Sequence, residues 1–210
     1  MKTTSRLHDS FVHNRRVRVL QQHLSALLPA EGKVLDVGCG DGLLAHGIGQ
    51  RLPECAVHGI DVLVRGETHI PVEAFNGNSI PYEDDSFDSV LFVDVLHHTD
   101  DPMRLLREAV RVARRSIVIK GHTKNGFMAD QTVRFMDRIG NAHHGVALPY
   151  NYWSQDEWEK AFKTLNLNID VWQSRLGLYP APADWLFGRK LHFVARGTVA
   201  MDLLGNAGVI

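Results

Sequence analysis

Three glycines at alternate positions, Gly38, Gly40 and Gly42, separate an apolar run from the apolar start of a predicted helix. The whole segment has the sequence VLDVGCGDG over residues 34–42. Because glycine has no side chain, a strand that breaks into a glycine turn and then a helix brings bare backbone close to a ligand. The segment therefore predicts a site for a nucleotide-like ligand.

The spacing of these glycines, and the acids around them, distinguish two classes of ligand. A dinucleotide-binding turn follows G-x-G-x-x-G/A, and here Leu43 occupies the third small position. Asp36 would repel a pyrophosphate, whereas it would attract the ammonium group of a methionine. Asp61, about twenty residues further on, can accept hydrogen bonds from two ribose hydroxyls, and Val62 would offer adenine an apolar surface. These features favour S-adenosylmethionine over a dinucleotide.

The chain resembles the class I S-adenosylmethionine-dependent methyltransferases, in particular the small-molecule group that includes quinone-biosynthesis enzymes. The resemblance lies in VLDVGCGDG at 34–42, GID at 59–61 and the segment from NGNSIPYEDDSFD to LLREAVRV at 76–112. These segments and the residues between them cover about half of the chain. The resemblance implies S-adenosylmethionine as cofactor and in-line methyl transfer to a small-molecule acceptor.

Matching positions imply which residues contact the cofactor: Asp36, Gly38, Cys39, Gly40, Asp61, Val62, Asn76, Gly77, Asp94 and Val95. Two positions depart from the family pattern. Relatives usually carry an aspartate where this chain has Asn76, and we expect the amide oxygen to accept a hydrogen bond from the adenine amino group instead. Arg114-Arg115 replaces a common Pro-Gly-Gly, and we expect an altered loop at the far end of the sheet.

Histidines that follow predicted strands are the candidates for chemistry on the acceptor. A positioned base assists a nucleophile that must lose a proton, and alignment of the reactants supplies much of the rate. The candidate catalytic residues are His98 and His122, and the candidate substrate-binding residues are His97, His143, His144, Tyr150 and Tyr152. Packing or hydrogen bonding at the strand ends is the alternative for each of them.

A metal centre is not predicted from the sequence. The chain has twelve histidines, but neither Cys-x-x-Cys nor His-Glu-x-x-His occurs. We expect the adjacent pair His97-His98 to point in different directions and not to chelate one ion.

Predicted strands and helices alternate from residue 33 to residue 120, which indicates a parallel sheet with helices on both faces. Two later strands at 167–172 and 191–195 are predicted to form an antiparallel pair at one edge. The expected fold class is α/β: a doubly wound, mostly parallel seven-stranded sheet with one antiparallel strand near the edge, the Rossmann-like methyltransferase fold. We expect a single domain over residues 1–210, with an N-terminal helix at 10–28 and a substrate-side insertion at 122–152.

The composition of the chain limits the classes of partner that we expect. The chain has 210 residues, a net charge of −1 and two cysteines. Without a basic patch we expect no nucleic-acid partner, and without a long apolar run we expect a cytoplasmic protein with no membrane insertion. The oligomeric state is open. The alternative functions are a non-catalytic S-adenosylmethionine-binding protein and an NAD-dependent oxidoreductase.

Overall fold

One mixed sheet organises the part of the chain that the computed structural model describes, which is residues 2–141, 149–188 and 190–200. The helices are α1 Lys2–Ser25, α2 Leu43–Arg51, α3 Pro102–Val112, α4 Ala129–Asn141 and α5 Gln155–Thr164. The strands are β1 Glu31–Val37, β2 Glu54–Asp61, β3 Val72–Ala74, β4 Phe87–Val93, β5 Ala113–His122, β6 Leu167–Gln173 and β7 His192–Val199. Leu96–His98 forms a short 3₁₀ turn and Asp184–Gly188 a π turn.

The strand order is β3-β2-β1-β4-β5-β7-β6. The strands from β3 to β5 pair in parallel, and β7 runs antiparallel to both β5 and β6. This arrangement confirms the predicted fold class and the antiparallel strand near one edge. The chain winds outward from β1 to β3 and then returns to place β4 on the other side of β1. Ligands of open α/β sheets bind at such a reversal, beyond the carboxyl ends of the strands.

Alternate residues of the central strands supply two apolar cores, one on each face of the sheet. Val34 of β1 and Leu91 of β4 pack with Leu24 of α1 on one face. Leu35 and Phe92, their neighbours in sequence, pack on the other face with side chains of α3 and α5. Strands buried on both faces explain the nearly continuous apolar runs in the sequence. Both cores hold the carboxyl ends of β1 and β4 in a fixed position.

Side-chain caps begin two of the helices. The Asp101 side chain accepts a hydrogen bond from Arg104 N at 2.9 Å, and Pro102 occupies the first turn of α3. Ser154 and Glu157 form a capping box at the start of α5. These caps satisfy N–H groups that a helix leaves free at its start.

Two element predictions were wrong in their bounds. The N-terminal helix was expected over 10–28 but spans Lys2–Ser25, since its polar first turns carry no apolar spacing that would mark them in the sequence. The double arginine was expected to alter a loop, but α3 passes into β5 without one, so Arg114 and Arg115 lie in the strand. No helix in the described ranges is both long and apolar enough to cross a membrane.

Candidate active site

The glycine turn after β1 requires its glycines. Gly38, Gly40 and Gly42 have φ angles of 75°, 62° and 76°, in the left-handed region that side chains disfavour. A Cβ added to Gly38 would lie 2.5 Å from Cγ2 of Val95, which follows β4. Gly38 N also donates to Ile60 O at 2.8 Å, which ties the turn to β2. Backbone therefore replaces side chains where three strand ends converge.

Asp61 fixes the turn from the end of β2. Its Oδ2 accepts from Gly40 N at 2.8 Å and its Oδ1 accepts from Leu63 N at 2.8 Å. Each carboxylate oxygen can accept a further hydrogen bond. Asp61 thus shapes the turn and still offers acceptors to a ligand.

A cavity of about 600 Å³ opens beside this turn, within the range of small-molecule sites. Its lining includes these predicted cofactor residues: Gly38, Gly40, Asp61, Val62, Asn76, Gly77, Asp94 and Val95. His98 and Arg65 line it as well. We call this space the cofactor-side cavity. Asp36 and Cys39, the other two predicted residues, are not among its lining residues.

Asp36 lies beneath the turn and is 2% exposed. Its Oδ1 has no hydrogen-bond partner among the described residues. Burial, with a smaller contribution from the charge of Asp61, raises the pKa of Asp36 to about 7. An unpartnered buried carboxylate is costly, so this atom is suited to a cationic group of a ligand.

The Cys39 side chain packs against β2 and does not line the cofactor-side cavity. A Cβ on Gly59 of β2 would lie 2.7 Å from Cys39 Sγ, so the thiol packs against that strand. Burial and the nearby charges of Asp36 and Asp61 raise the pKa of the Cys39 thiol to about 12. The thiol therefore stays neutral, and only the backbone of Cys39 is available to a cofactor.

The hydrogen bonds of the Asn76 side chain differ from those predicted. Its Oδ1 accepts from Asn78 N and from Ser79 N, both at 2.8 Å. Both lone pairs of the oxygen are then used. The expectation that this oxygen accepts a bond from the adenine amino group therefore conflicts with the structure, and the side-chain NH₂ is the group left to meet a ligand.

Two residues that the sequence did not single out hold the loop at residues 76–82 against α3. Glu108 accepts from Ile80 N at 2.9 Å, and Arg111 donates to the carbonyl oxygens of Ile80 and Tyr82 at 2.9 and 2.8 Å. In the sequence, the spacing of Glu108 and Arg111 predicts only an i,i+3 ion pair on a helix surface, which is common. Arg65 was missed as well, because it lies in an irregular exposed segment without a pattern.

Asp94 lies at the junction of the cofactor-side cavity with a buried group of charges. Its Oδ1 accepts from Lys120 Nζ, and its Oδ2 lies 2.5 Å from Arg16 Nη2 of α1. Burial alone would raise the pKa of Asp94, but Lys120 and Arg16 hold it well below its usual range. The carboxylate is thus ionised and forms ion pairs with two cations. Its predicted role in cofactor binding did not include these ion pairs.

Lys120 and two histidines complete this buried group. Lys120 is 1% exposed, and its Nζ lies 3.2 Å from His192 Nδ1. Burial, partly offset by Asp94, lowers the pKa of Lys120 to about 8. Burial also lowers the pKa values of His122 and His192 well below the usual value, so both imidazoles are neutral near pH 7.

A second cavity of about 190 Å³ lies over these charges. Its lining residues are Arg16, Asp94, His98, His122, Met136, Asp137, Tyr179 and His192. Asp94 and His98 line both cavities, so the two spaces are adjacent. We call this second space the acceptor-side cavity.

The structure brings four of the predicted acceptor residues together. The His97 ring stacks on Tyr152 with centroids 5.0 Å apart, and it contacts His98 and His122 at 4.1 and 5.2 Å. Tyr150 lies beside this group, 6.3 Å from the Tyr152 ring and under Arg134. His143 and His144 lie outside the described residues.

Asp137 of α4 is the residue of this region that the sequence did not reveal. Tyr152 Oη donates to Asp137 Oδ2 at 2.8 Å. Oδ1 of the same carboxylate lies 3.5 Å from His97 Nε2 and 3.7 Å from His98 Nε2. The expectation that the adjacent histidines point apart was therefore wrong, because the 3₁₀ turn leaves both rings facing one carboxylate.

Comparisons with known proteins identify the family of the chain. Residues 11–171 match the family model described as "Methyltransferase domain". The uncharacterized methyltransferase YcgJ of Bacillus subtilis is 25% identical over 74% of this chain and 68% of its own length. The ubiquinone biosynthesis O-methyltransferase of Pseudomonas fluorescens is 30% identical over 51% of this chain. That match spans 49% of the Pseudomonas enzyme, so this chain covers about half of that relative.

Solved structures show the same fold. An S-adenosylmethionine-dependent methyltransferase structure from Thermotoga maritima matches with a TM-score of 0.65 over 94% of this chain and 96% of its own, at 20% identity. The family model covers most of the chain, and its members use S-adenosylmethionine. The glycine turn, Asp61 and the cavity beside them are therefore parts of a class I S-adenosylmethionine-dependent methyltransferase, the family to which this chain belongs.

Proposed function

We propose that the chain transfers a methyl group to a small-molecule acceptor held in the acceptor-side cavity. The observation that carries this proposal is the contact between the two cavities at Asp94 and His98. A volume of about 190 Å³ suits a small acceptor or the reacting end of a larger one. The net charge of −1 offers no attraction to a nucleic acid.

The residues of the cofactor-side cavity fit S-adenosylmethionine. Gly38 and Gly40 line it without side chains, the unpartnered Asp36 Oδ1 suits its ammonium group, and Asp61 suits its ribose hydroxyls. Arg65 adds a positive charge at the rim that suits the methionine carboxylate. When bound, S-adenosylmethionine supplies an electrophilic methyl group on a sulfonium sulfur.

His122 is the residue best placed to take a proton from a substrate that must lose one before it is methylated. It lines the acceptor-side cavity, is 8% exposed and is neutral near pH 7. Its Nδ1 is buried without a hydrogen bond to any described residue, although Asp94 Oδ1 lies 3.2 Å away. The Asp94 carboxylate would stabilise an imidazolium formed there, whereas burial and the Lys120 charge oppose it. His98, at the junction of the cavities, would position the acceptor.

Fractionated cell extract and labelled cofactor test the proposal. The protein is incubated with methyl-labelled S-adenosylmethionine and extract that ultrafiltration has divided into small molecules and macromolecules. We expect labelled product in the small-molecule fraction only. Label confined to macromolecules, or no transfer to either fraction, would overturn it.

Two variants separate the parts of the site in this assay. Asp61→Ala is expected to weaken cofactor binding by about tenfold or more, measured by isothermal titration calorimetry, since it removes both the turn contact and the ribose acceptors. His122→Gln is expected to leave cofactor affinity unchanged and to lower the turnover number by about 100-fold or more. Cofactor binding without turnover in the wild-type protein would favour the non-catalytic alternative.

A further inference from the structure

A pair of histidines and one carboxylate converge at the edge of the acceptor-side cavity. His97 and His98 come from the 3₁₀ turn after β4, and Asp137 comes from α4. One ligand atom from each residue lies within 4.8 Å of the other two. From this convergence we infer that His97, His98 and Asp137 form a binding site for a divalent transition-metal cation of the zinc type.

The spacing suits a metal better than a direct hydrogen bond. Zinc binds imidazole nitrogen and carboxylate oxygen at about 2.0–2.2 Å, which places tetrahedral ligands roughly 3.3–3.6 Å apart. Asp137 Oδ1 lies 3.5 Å from His97 Nε2 and 3.7 Å from His98 Nε2. The third separation is no more than 4.8 Å, so shifts of about 1 Å or less per side chain would close the site.

Burial gives a second argument. The side chains of His97 and Asp137 are 6% and 9% exposed. His97 Nε2 has no hydrogen bond to a described residue, although it is buried and directed at a carboxylate. Its contact with Asp137 Oδ1, at 3.5 Å, is too long for a good hydrogen bond. A buried polar atom without a good hydrogen bond is destabilising, and a cation between the nitrogen and the carboxylate would remove that penalty.

The surroundings hold the three side chains in place. Tyr152 Oη donates to the carboxylate oxygen of Asp137 that does not face the histidines. Asn151 N donates to His97 O at 3.2 Å and Asn151 Nδ2 donates to Thr99 O at 2.6 Å, which fixes the 3₁₀ turn. Hydrogen bonds to metal ligands from such outer residues orient the ligands and are typical of built metal sites.

Three protein ligands leave a coordination position free, as in catalytic zinc sites. His98 and Asp137 both line the acceptor-side cavity, so the free position would be filled by a water molecule or by an oxygen, nitrogen or sulfur atom of the acceptor. In the same region Arg16 and Lys120 balance Asp94 and Asp137, and the cation would make the site positive. The site would therefore select acceptors with an ionisable hydroxyl, thiol or carboxyl group.

The acceptor preference rests on the proposed function, but metal binding can be measured without cofactor or acceptor. The purified protein is treated with a chelator, dialysed, and titrated with Zn²⁺ by calorimetry and with Co²⁺ by visible absorption. We expect one strongly bound Zn²⁺ per chain and a Co²⁺ spectrum typical of four or five ligands. Affinity for S-adenosylmethionine, measured separately, tests the proposed function independently.

Variants locate the ion. Asp137→Asn and His98→Gln each remove one ligand at similar size, and we expect each to lower Zn²⁺ affinity by about 100-fold or more. Tyr152→Phe removes only the outer hydrogen bond and should lower affinity about tenfold. The matched control is His46→Gln, because His46 is exposed and also lies near a second histidine, His69, at 6.2 Å between ring centroids.

The Zn²⁺ affinity of the control should equal that of the wild-type protein. Circular dichroism and urea denaturation of each variant show whether it is folded. No Zn²⁺ binding by the wild-type protein would mean a simple histidine–carboxylate cluster and would overturn the inference. Binding that persists in folded Asp137→Asn and His98→Gln, or that is lost in His46→Gln, would overturn it equally.

Discussion

The two cavities are adjacent, but different types of residue line them. The cofactor-side cavity is lined mainly by three glycines and by short polar and apolar side chains in the segments that follow β1, β2, β3 and β4. The acceptor-side cavity is lined by long charged and aromatic side chains from separate elements, among them Arg16 of α1, Asp137 of α4 and His192 of β7. Backbone can be held rigid by a short local turn, whereas buried charges must be held by one another.

This difference determines how each cavity would respond to mutation. Substitutions on the cofactor side should act mainly on binding, because the sheet is stabilised elsewhere by two apolar cores. Substitutions on the acceptor side should act first on stability, since each buried charge depends on its partners.

The largest effect is expected from Asp94→Asn. The substitution keeps the size of the side chain but leaves the Lys120 ammonium, whose side chain is 0% exposed, without its carboxylate. Removing one partner of a buried ion pair costs about 3–5 kcal/mol of unfolding free energy. Urea denaturation at pH 7 measures this loss. The matched control is Asp170→Asn, whose partner Arg196 lies at 2.5 Å but is 34% exposed.

The control should lose about 1 kcal/mol or less, because solvent screens that pair. Equal losses in the two variants would show that the buried charges on the acceptor side have no special role in stability. The proposed difference between the two cavities would then be wrong.

The next effect is a pH dependence centred on Asp36. Burial, with the charge of Asp61, raises the pKa of this group to about 7, so the folded state holds a proton that the unfolded chain releases at a lower pH. Its contribution to stability is therefore full below about pH 4 and is lost as the pH rises through 7. In Asp36→Asn this dependence disappears.

The unfolding free energy of Asp36→Asn relative to the wild-type protein should therefore increase by about 2–3 kcal/mol between pH 5 and pH 7 and change little above pH 8. Urea denaturation of both proteins at several pH values measures the difference. In the wild-type protein alone, affinity for S-adenosylmethionine should increase over the same pH range as the carboxylate forms. A pH-independent difference between the two proteins would show that Asp36 does not titrate in this range.

The same contrast explains what the sequence could predict. The glycine turn, Asp61 and the alternation of strands and helices are local patterns, and eight of the ten predicted cofactor residues line one cavity. Asp137 and Arg16 lie on helices at positions that look like ordinary polar sites, and only the packing of α1 and α4 brings them to the acceptor side. No residue spacing along the chain predicts that these two side chains lie in the same cavity.

Two errors concern the direction of side chains. Asn76 was expected to present its oxygen, but its own turn uses both lone pairs of that atom, which is the usual behaviour of asparagine in turns. The histidines of the 3₁₀ turn were expected to diverge, but Asp137 lies against both. Side-chain direction at the end of a strand depends on the rotamer and on neighbours distant in sequence, so residue spacing alone did not predict it.

A smaller effect separates two glycines of the turn. Gly38→Ala and Gly40→Ala both place a side chain at positive φ, at a cost of about 1–2 kcal/mol each. The Cβ of Gly38→Ala would also displace Val95, whereas that of Gly40→Ala would find its nearest atom, Arg65 Nη2, at 3.5 Å. Calorimetry should therefore show at least a tenfold loss of affinity for S-adenosylmethionine in Gly38→Ala and a smaller loss in Gly40→Ala. Equal losses would mean that the approach of Val95 to the turn is not required for binding.

The smallest effect is expected at Arg65, the charged residue on the rim of the cofactor-side cavity. Arg65→Ala should weaken cofactor binding by about two- to fivefold, since exposed ion pairs contribute less than about 1 kcal/mol. The loss should shrink as salt is added, because the interaction is open to solvent. Calorimetry at low and high ionic strength measures both effects, and Arg51→Ala, an exposed arginine at the end of α2, is the matched control. An equal loss in Arg51→Ala would assign the effect to overall charge, whereas a loss confined to Arg65→Ala that persists in high salt would indicate a buried contact with the cofactor.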